Sequence, residues 1–112
     1  MKKVEAIIRE QKLTAVKEAL KALGVSGMTV TEVKGHGTQK GITEVFRDKA
    51  FSVDLLAKIK IDVICEDSQV DKITKTIVEA AQTGSIGDGK IFIYNVEGAI
   101  RIRTGETEGK AL

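Results

Sequence analysis

A glycine-rich segment in the second half of the chain has the residue pattern most suited to binding chemistry. Residues 84–90 read GSIGDGK, which places three glycines within six residues and Lys90 directly after them. The backbone N–H groups of such a segment can curl into an anion-binding nest, and the lysine adds a positive charge beside it. A P-loop runs from strand to helix, whereas this segment runs from a predicted helix to a predicted strand, and Ile91 replaces the magnesium-binding Ser or Thr. We therefore predict an anion site here and not a P-loop NTPase, with a plain glycine-rich turn as the alternative.

Further cations lie in two other segments. Arg101 and Arg103 alternate in AIRIRTGE, and as part of a strand they would point to the same face, where two guanidinium groups could grip phosphate or carboxylate oxygens. A second candidate anion site combines two glycines, an amide and two lysines, namely Gly37, Gln39, Lys40, Gly41 and Lys58. Gln39 could add one oxygen ligand to a bound Mg²⁺.

The remaining reactive side chains favour structural roles. His36 stands between glycines with no second metal ligand at a useful spacing, so we interpret it as a loop residue. Cys65 falls in an apolar strand register and is expected to be buried. No Ser/His/Asp arrangement or carboxylate pair supports a hydrolase or an acid/base enzyme. Phe46 and Phe51, in a polar connection, either pack against the subunit body or anchor the chain in a partner's pocket.

The elements that position these residues follow from hydrophobic periodicity. Alternating residues predict strands over 3–9, 28–35, 58–65 and 91–103. Three- and four-residue spacing predicts a helix over 13–23 that ends at Gly24, and a second helix that opens with Ser68 and Asp71 as a near capping box. The long connection over 35–55 has neither period, and connections of that length tend to be functional or mobile. The order β-α-β-β-α-β predicts an α+β, ferredoxin-like fold with an antiparallel four-stranded sheet.

Composition narrows the class of protein further. The chain has 112 residues, which suits one domain, and 18 basic against 16 acidic residues leave no strong basic field for direct nucleic-acid binding. Aromatic residues make up only 4% and proline is absent. A single cysteine indicates a reducing compartment, and the early charges Glu5 and Arg9 interrupt any signal-peptide core. We expect a cytoplasmic protein without membrane insertion.

Four segments together resemble the PII signal-transduction proteins of nitrogen regulation. They are TEVKGHGTQKGITEVFR, KIKIDVI, TGSIGDGKIFI and AIRIRTGE, and with the helices the likeness covers essentially the whole chain. The resemblance implies a homotrimer of ferredoxin-like subunits with nucleotide sites in the clefts between subunits. It also implies a flexible loop, residues 37–55, that docks on target proteins of nitrogen metabolism, an ammonium transporter among the candidates. ATP and ADP would compete for the site, and Mg-ATP would create the site for 2-oxoglutarate.

The same resemblance assigns roles to individual residues. The phosphates would be held by Gly87, Asp88, Gly89, Lys90, Arg101 and Arg103. The nucleotide would be lined by Thr29, Gly37 and Ile64. Magnesium and 2-oxoglutarate would be surrounded by Gln39, Lys40, Gly41, Lys58 and Gly87, with Lys58 pairing a carboxylate and Gln39 reaching the metal that the ATP phosphates carry.

Departures from the family pattern leave alternatives open. Phe51 stands where many relatives have a modifiable tyrosine, so nucleotidylylation at that position is excluded, and Lys49 replaces a serine that some relatives phosphorylate, with Ser52 a weak substitute. Thr38 replaces an arginine that often reaches the phosphates. We therefore expect regulation by ligand occupancy alone and no enzymatic activity. A PII-like regulator with a different effector and a slow ATPase are the alternatives.

Overall fold

The computed structural model describes residues 1–36 and 55–112. Its four strands are β1 (Lys2–Arg9), β2 (Thr29–His36), β3 (Leu55–Cys65) and β4 (Gly89–Asn95), and its two helices are α1 (Leu13–Ala22) and α2 (Val70–Ala81). Every strand pair is antiparallel and the sheet order is β2-β3-β1-β4. This arrangement confirms the predicted ferredoxin-like fold.

One face of the sheet carries the core and the other stays open. Alternate residues of β1 and β3 are buried, and these side chains pack with one stripe from each helix. The core members are Val4, Ala6, Ile8, Val16, Leu20, Ile59, Ile61, Val63, Cys65, Ile73, Ile77 and Ala81. Cys65 is 3% exposed, so its predicted place in the core is confirmed, and burial raises the pKa of its thiol.

The helix ends differ in how well the sequence predicted them. Gly24 has φ +98°, and the N–H groups of Gly24 and Val25 donate to the carbonyls of Lys21 and Leu20, the pairing of a Schellman cap. The predicted Ser68 capping box is wrong. A short 3₁₀ turn, Asp67–Gln69, precedes α2, and the capping box joins the Glu66 and Gln69 positions instead.

The predicted fourth strand is too long. β4 ends at Asn95, where its register pairs it with Lys2, and the Val96 N–H donates to the Met1 carbonyl. Beyond Val96 the chain no longer pairs with β1. Ala99 to Glu108 instead fold back on themselves, with an isolated bridge between Ile100 and Thr107.

Two strand boundaries differ from the prediction, and an ion pair fixes the start of β1. β3 begins at Leu55, three residues before the predicted start at Lys58. His36 is the last residue of β2, so the interpretation of it as a loop residue is wrong. The N-terminal ammonium of Met1 lies 3.0 Å from the Asp67 carboxylate, which ties the start of β1 to the turn before α2.

Candidate functional site

The glycine-rich segment forms a loop organised around one carboxylate. Asp88 Oδ2 accepts hydrogen bonds from the backbone N–H groups of Thr83 (2.8 Å) and Gly84 (2.9 Å), and Oδ1 accepts one from the Thr83 hydroxyl. These bonds, the hydroxyl's foremost, hold the pKa of Asp88 well below its usual range. The predicted nest therefore already holds an anion at its first turn, and that anion is the protein's own side chain.

The N–H groups that follow in the loop do not bond to the Asp88 carboxylate. Ser85 N–H donates to the Thr83 hydroxyl oxygen (3.2 Å) and Asp88 N–H to the Ser85 carbonyl (3.4 Å). In the described part of the chain, no acceptor lies within hydrogen-bond reach of the Ile86 and Gly87 N–H groups. A ligand anion would meet these two donors, because unpaired N–H groups in a positive-φ turn are the donors of a nest.

Backbone conformation makes glycine necessary in this loop. Gly84, Gly87 and Gly89 all have positive φ, at +88°, +101° and +107°. At Gly89 a Cβ atom would stand 1.7 Å from the carbonyl oxygen of Ile7, because β4 enters the sheet directly against β1 there. The glycine spacing noted in the sequence thus has two causes, the turn itself and the close approach of two strands.

Two cations from the sheet reach into the same loop. Arg9 and Lys58 are cross-strand partners on β1 and β3. Arg9 donates from Nη2 to the Ile86 carbonyl (2.8 Å) and from Nε to Asp88 Oδ1 (3.2 Å), while Lys58 Nζ donates to the Gly87 carbonyl (2.6 Å). Partial burial and then the neighbouring Arg9 charge lower the pKa of Lys58.

A cleft of about 310 Å³ opens beside this loop on the open face of the sheet. It brings together four of the predicted ligand residues, which are Gly87, Gly89, Lys90 and Lys58. Ile7 and Phe92 form an apolar wall. The cleft therefore offers two lysines and backbone donors beside apolar side chains, which is the mixture that a phosphorylated ligand with an apolar portion requires.

The structure places the other predicted residues elsewhere. Thr29 and Ile64 line a second cavity of about 610 Å³, together with the Gly24–Met28 connection and the C-terminal segment. Thr29 pairs with Asp62 of β3, whereas the glycine-rich loop lies beside Lys58, nearer the start of the same strand. Lys58 and Ile64 are six residues apart on β3, about 20 Å at 3.3–3.4 Å per residue.

Arg101 and Arg103 do not lie on a strand, so the prediction that they share a strand face is wrong. Arg101 lies at a tight turn that the Gly105 N–H closes by donating to the Arg101 carbonyl (2.7 Å). Its guanidinium is 3.4 Å from the Glu106 carboxylate and donates to the Leu112 carbonyl oxygen (2.9 Å). Arg103 is exposed in the same turn.

Several predictions fall outside the described residues. These concern Gly37, Thr38, Gln39, Lys40, Gly41, Phe46, Lys49, Phe51 and Ser52. Within residues 1–36 and 55–112, no group of three His, Cys, Asp or Glu side chains could hold a metal ion. Over those same residues, no helix is long and apolar enough to cross a membrane.

Sequence reasoning missed two residues that shape the loop. In the sequence, Arg9 stands out only as a charge that interrupts an apolar run, and Thr83 does not stand out at all. The signal for Arg9 is its place as the last residue of β1, opposite Lys58, but that register depends on the pairing of distant strands. Thr83 could have been suspected as a Ser/Thr residue beside a glycine, a pattern typical of local side-chain bonding.

The chain therefore combines an antiparallel four-stranded sheet, two helices on one face of it and a glycine-rich loop beside an open-face cleft. This is a ferredoxin-like domain with a candidate anion site. The family model described as "Nitrogen regulatory protein P-II" matches residues 1–106. The chain belongs to this P-II family.

Individual relatives agree with this assignment. The chain is 54% identical to the nitrogen regulatory protein P-II of Haemophilus influenzae and 56% identical to that of Rhodospirillum rubrum, in each case over the full length of both chains. It is similar in structure to Arabidopsis thaliana PII bound to citrate, with a TM-score of 0.80 and 39% identity over 99% of this chain and 91% of that one. The predicted family resemblance is therefore confirmed, and proteins of this family are named as regulators.

Proposed function

We propose that the chain is a PII-type signal-transduction protein that senses ATP, ADP and 2-oxoglutarate and regulates targets of nitrogen metabolism. The observation that carries the proposal is the cleft beside the 83–89 loop, which is lined by Ile86, Gly87, Lys58 and Lys90. Among the described residues, no acceptor pairs with the Ile86 and Gly87 N–H groups. Phosphate oxygens suit these donors, because backbone N–H groups and lysines are common phosphate ligands. Ile7 and Phe92 offer an apolar surface beside them.

Assembly is part of the proposal. Gly87 and Lys90 lie at one end of the sheet, and Thr29 and Ile64 lie towards the other. A nucleotide that touches both groups within one chain would have to span most of the sheet. Two chains can instead bring the loop end of one sheet against the Thr29 end of another, which supports sites between subunits in a homotrimer.

Lys58 supplies the proposed contact with the effector. Its ammonium lies in the same cleft as Gly87, so a 2-oxoglutarate carboxylate could pair with it next to bound phosphates. Gln39, Lys40 and Gly41 would complete this site, and Mg²⁺ would enter with the ATP phosphates and take the Gln39 amide oxygen. Ligand occupancy would select conformations of residues 37–55, which engage or release a target such as an ammonium transporter.

The protein would act as a cytoplasmic regulator and not as an enzyme. Phe51 lacks the hydroxyl group that nucleotidylylation requires, so the switch would depend on bound ligands alone. Phosphate release from ATP that disappears in Lys90→Ala would indicate a slow ATPase instead.

Calorimetric titration tests this proposal. Purified protein is titrated with ATP and with ADP, and then with 2-oxoglutarate in the presence and absence of Mg-ATP. We expect saturable nucleotide binding and effector binding that requires Mg-ATP. Lys90→Ala should weaken nucleotide binding, and Lys75→Ala, which removes the same charge from the exposed surface of α2, should not. No saturable nucleotide binding by the unaltered protein would refute the proposal.

A further inference from the structure

We infer that Arg9 is a positioning residue that aims the Gly87 N–H group at a bound anion. This inference rests on the proposed function and adds to it a residue with no role in the anion site so far. Arg9 makes two contacts with the loop, one to the Ile86 carbonyl at 2.8 Å and one to the Asp88 carboxylate at 3.2 Å. Both come from one planar guanidinium group, so together they fix its orientation as well as its distance.

The geometry of the peptide bond connects these contacts to ligand binding. In a trans peptide unit the C=O and the following N–H point in opposite directions across a rigid plane. Residues 1–36 and 55–112 contain no cis peptide bond, and the Ile86 carbonyl shares its peptide unit with the Gly87 N–H. Because Arg9 draws that carbonyl towards β1, the Gly87 N–H must point away from Arg9. It is one of the two N–H groups of the loop that have no hydrogen-bond acceptor among the described residues.

The peptide unit needs such a tether because its neighbour is a glycine. Gly87 has φ +101°, a conformation that glycine leaves and re-enters at little cost, so the 86–87 peptide plane could rotate and turn its N–H away from a ligand. Lys58 holds the next unit through the Gly87 carbonyl at 2.6 Å. Arg9 and Lys58 are cross-strand partners, so a paired position of the sheet fixes two successive peptide planes.

Asp88 completes the arrangement by holding Arg9 in place. Its Oδ1 atom accepts from Arg9 Nε, and its Oδ2 atom accepts from the Thr83 and Gly84 N–H groups. The carboxylate faces inward to the loop and to Arg9. Its contribution to phosphate binding is therefore indirect, and it runs through Arg9 and through the backbone of Thr83 and Gly84.

The experiment compares ATP affinity and the Gly87 amide resonance in the unaltered chain, Arg9→Ala and Arg9→Lys. Lys75→Ala is the control for the loss of one surface charge. We expect Arg9→Ala to weaken ATP binding by roughly ten- to hundredfold, the range for a lost hydrogen bond to a charged group. Without nucleotide, the Gly87 ¹⁵N–¹H resonance should shift or split. The thermal midpoint of each variant shows whether the fold is kept.

The lysine variant separates positioning from charge. Lysine keeps the charge but cannot reach both acceptors in fork geometry, so Arg9→Lys should recover only part of the affinity. Full recovery would overturn the inference, because it would mean that charge alone matters.

Failure of the inference is distinguishable from failure of the proposed function. If the unaltered protein binds ATP, and Arg9→Ala binds it as tightly with an unchanged Gly87 resonance, the inference is wrong and the proposed function stands. If the unaltered protein does not bind ATP, the proposed function fails and the role of Arg9 in anion binding fails with it.

Discussion

Replacing Gly89 by alanine should be among the most damaging single-methyl additions in the described part of the chain. The added Cβ would stand 1.7 Å from the Ile7 carbonyl oxygen and 2.8 Å from the Ile7 carbonyl carbon, and both atoms are backbone. No side-chain rotation can relieve this overlap, so β4 must move away from β1 at the point where Gly89 pairs with Ile8. The residue would also keep a φ near +107°, which L-residues rarely adopt.

The expected loss follows from these two effects. A residue held in a sparsely populated backbone region costs about 1–3 kcal/mol, and each weakened hydrogen bond of the ladder costs a further ~0.5–1.5 kcal/mol. We therefore expect Gly89→Ala to lower the free energy of unfolding by about 3–5 kcal/mol, which is a large share of the ~5–15 kcal/mol typical of a domain.

Gly84→Ala is the matched control. Gly84 also has positive φ, at +88°, but no atom lies within 4 Å of the point that an added Cβ would occupy, so only backbone strain of about 1–2 kcal/mol applies. Urea unfolding followed by far-UV circular dichroism, at one fixed protein concentration, gives both values. Equal losses for the two variants would refute the argument, because the difference between them measures the close approach of β4 to β1.

Three further predictions concern titration and packing. The pKa of Asp88 is lowered in the folded state, so the ionised carboxylate contributes its full stability above pH 3.8, the ordinary pKa, and loses it as the pH falls further. The free energy of unfolding of Asp88→Asn should therefore depend less steeply on pH below 4 than that of the unaltered chain. Acetylating the Met1 amine removes its ion pair with Asp67, so the thermal midpoint should fall, and by less in Asp67→Asn, which has already lost the pair. Ile73→Ala leaves a cavity at a buried position of α2 and should lower the free energy of unfolding by about 2–5 kcal/mol. Val78 lies on the same helix but is 45% exposed, so Val78→Ala should lower it by less than ~1 kcal/mol; urea unfolding measures both.

The fold was predictable because its periodic signals are long and unbroken. Burial alternates along β1 from Lys3 to Arg9, and the buried positions of α1 and α2 recur at helical spacing, so each element and its core face could be identified. The start of β3 was missed because Leu55 to Ala57 form an apolar run without alternation. The capping box was misplaced because the residues that form it, Glu66 and Gln69, belong to the short turn before α2.

The end of β4 could not be predicted from its own residues. The segment Ala99 to Arg103 contains two β-branched residues at alternate positions and is typical of a strand. A strand needs a partner, however, and the pairing of β4 with β1 ends at the hydrogen bond from Val96 to Met1. Whether a partner exists depends on the register of two segments about 90 residues apart. Arg9 was missed for the same reason, because its role follows from its pairing with Lys58 on the neighbouring strand.

The candidate site was predictable in its residue types and not in its internal bonding. Glycines and lysines indicated an anion site, and Gly87, Gly89, Lys58 and Lys90 do line one cleft. The sequence could not show that Asp88 fills the first turn of the nest, because a carboxylate beside glycines reads equally well as facing inward or outward. That choice is made by the Thr83 and Gly84 N–H groups.

Lys58 connects the two ligands of the proposed function through one atom. Its Nζ holds the Gly87 carbonyl at 2.6 Å, and it is also the proposed partner of a 2-oxoglutarate carboxylate. An ammonium group has three donors, so it can share them between both acceptors or release the carbonyl. A ligand shifts a conformational equilibrium only by its differential affinity for the two states. A carboxylate that displaced the Gly87 carbonyl from Lys58 would couple effector binding to the orientation of the anion loop.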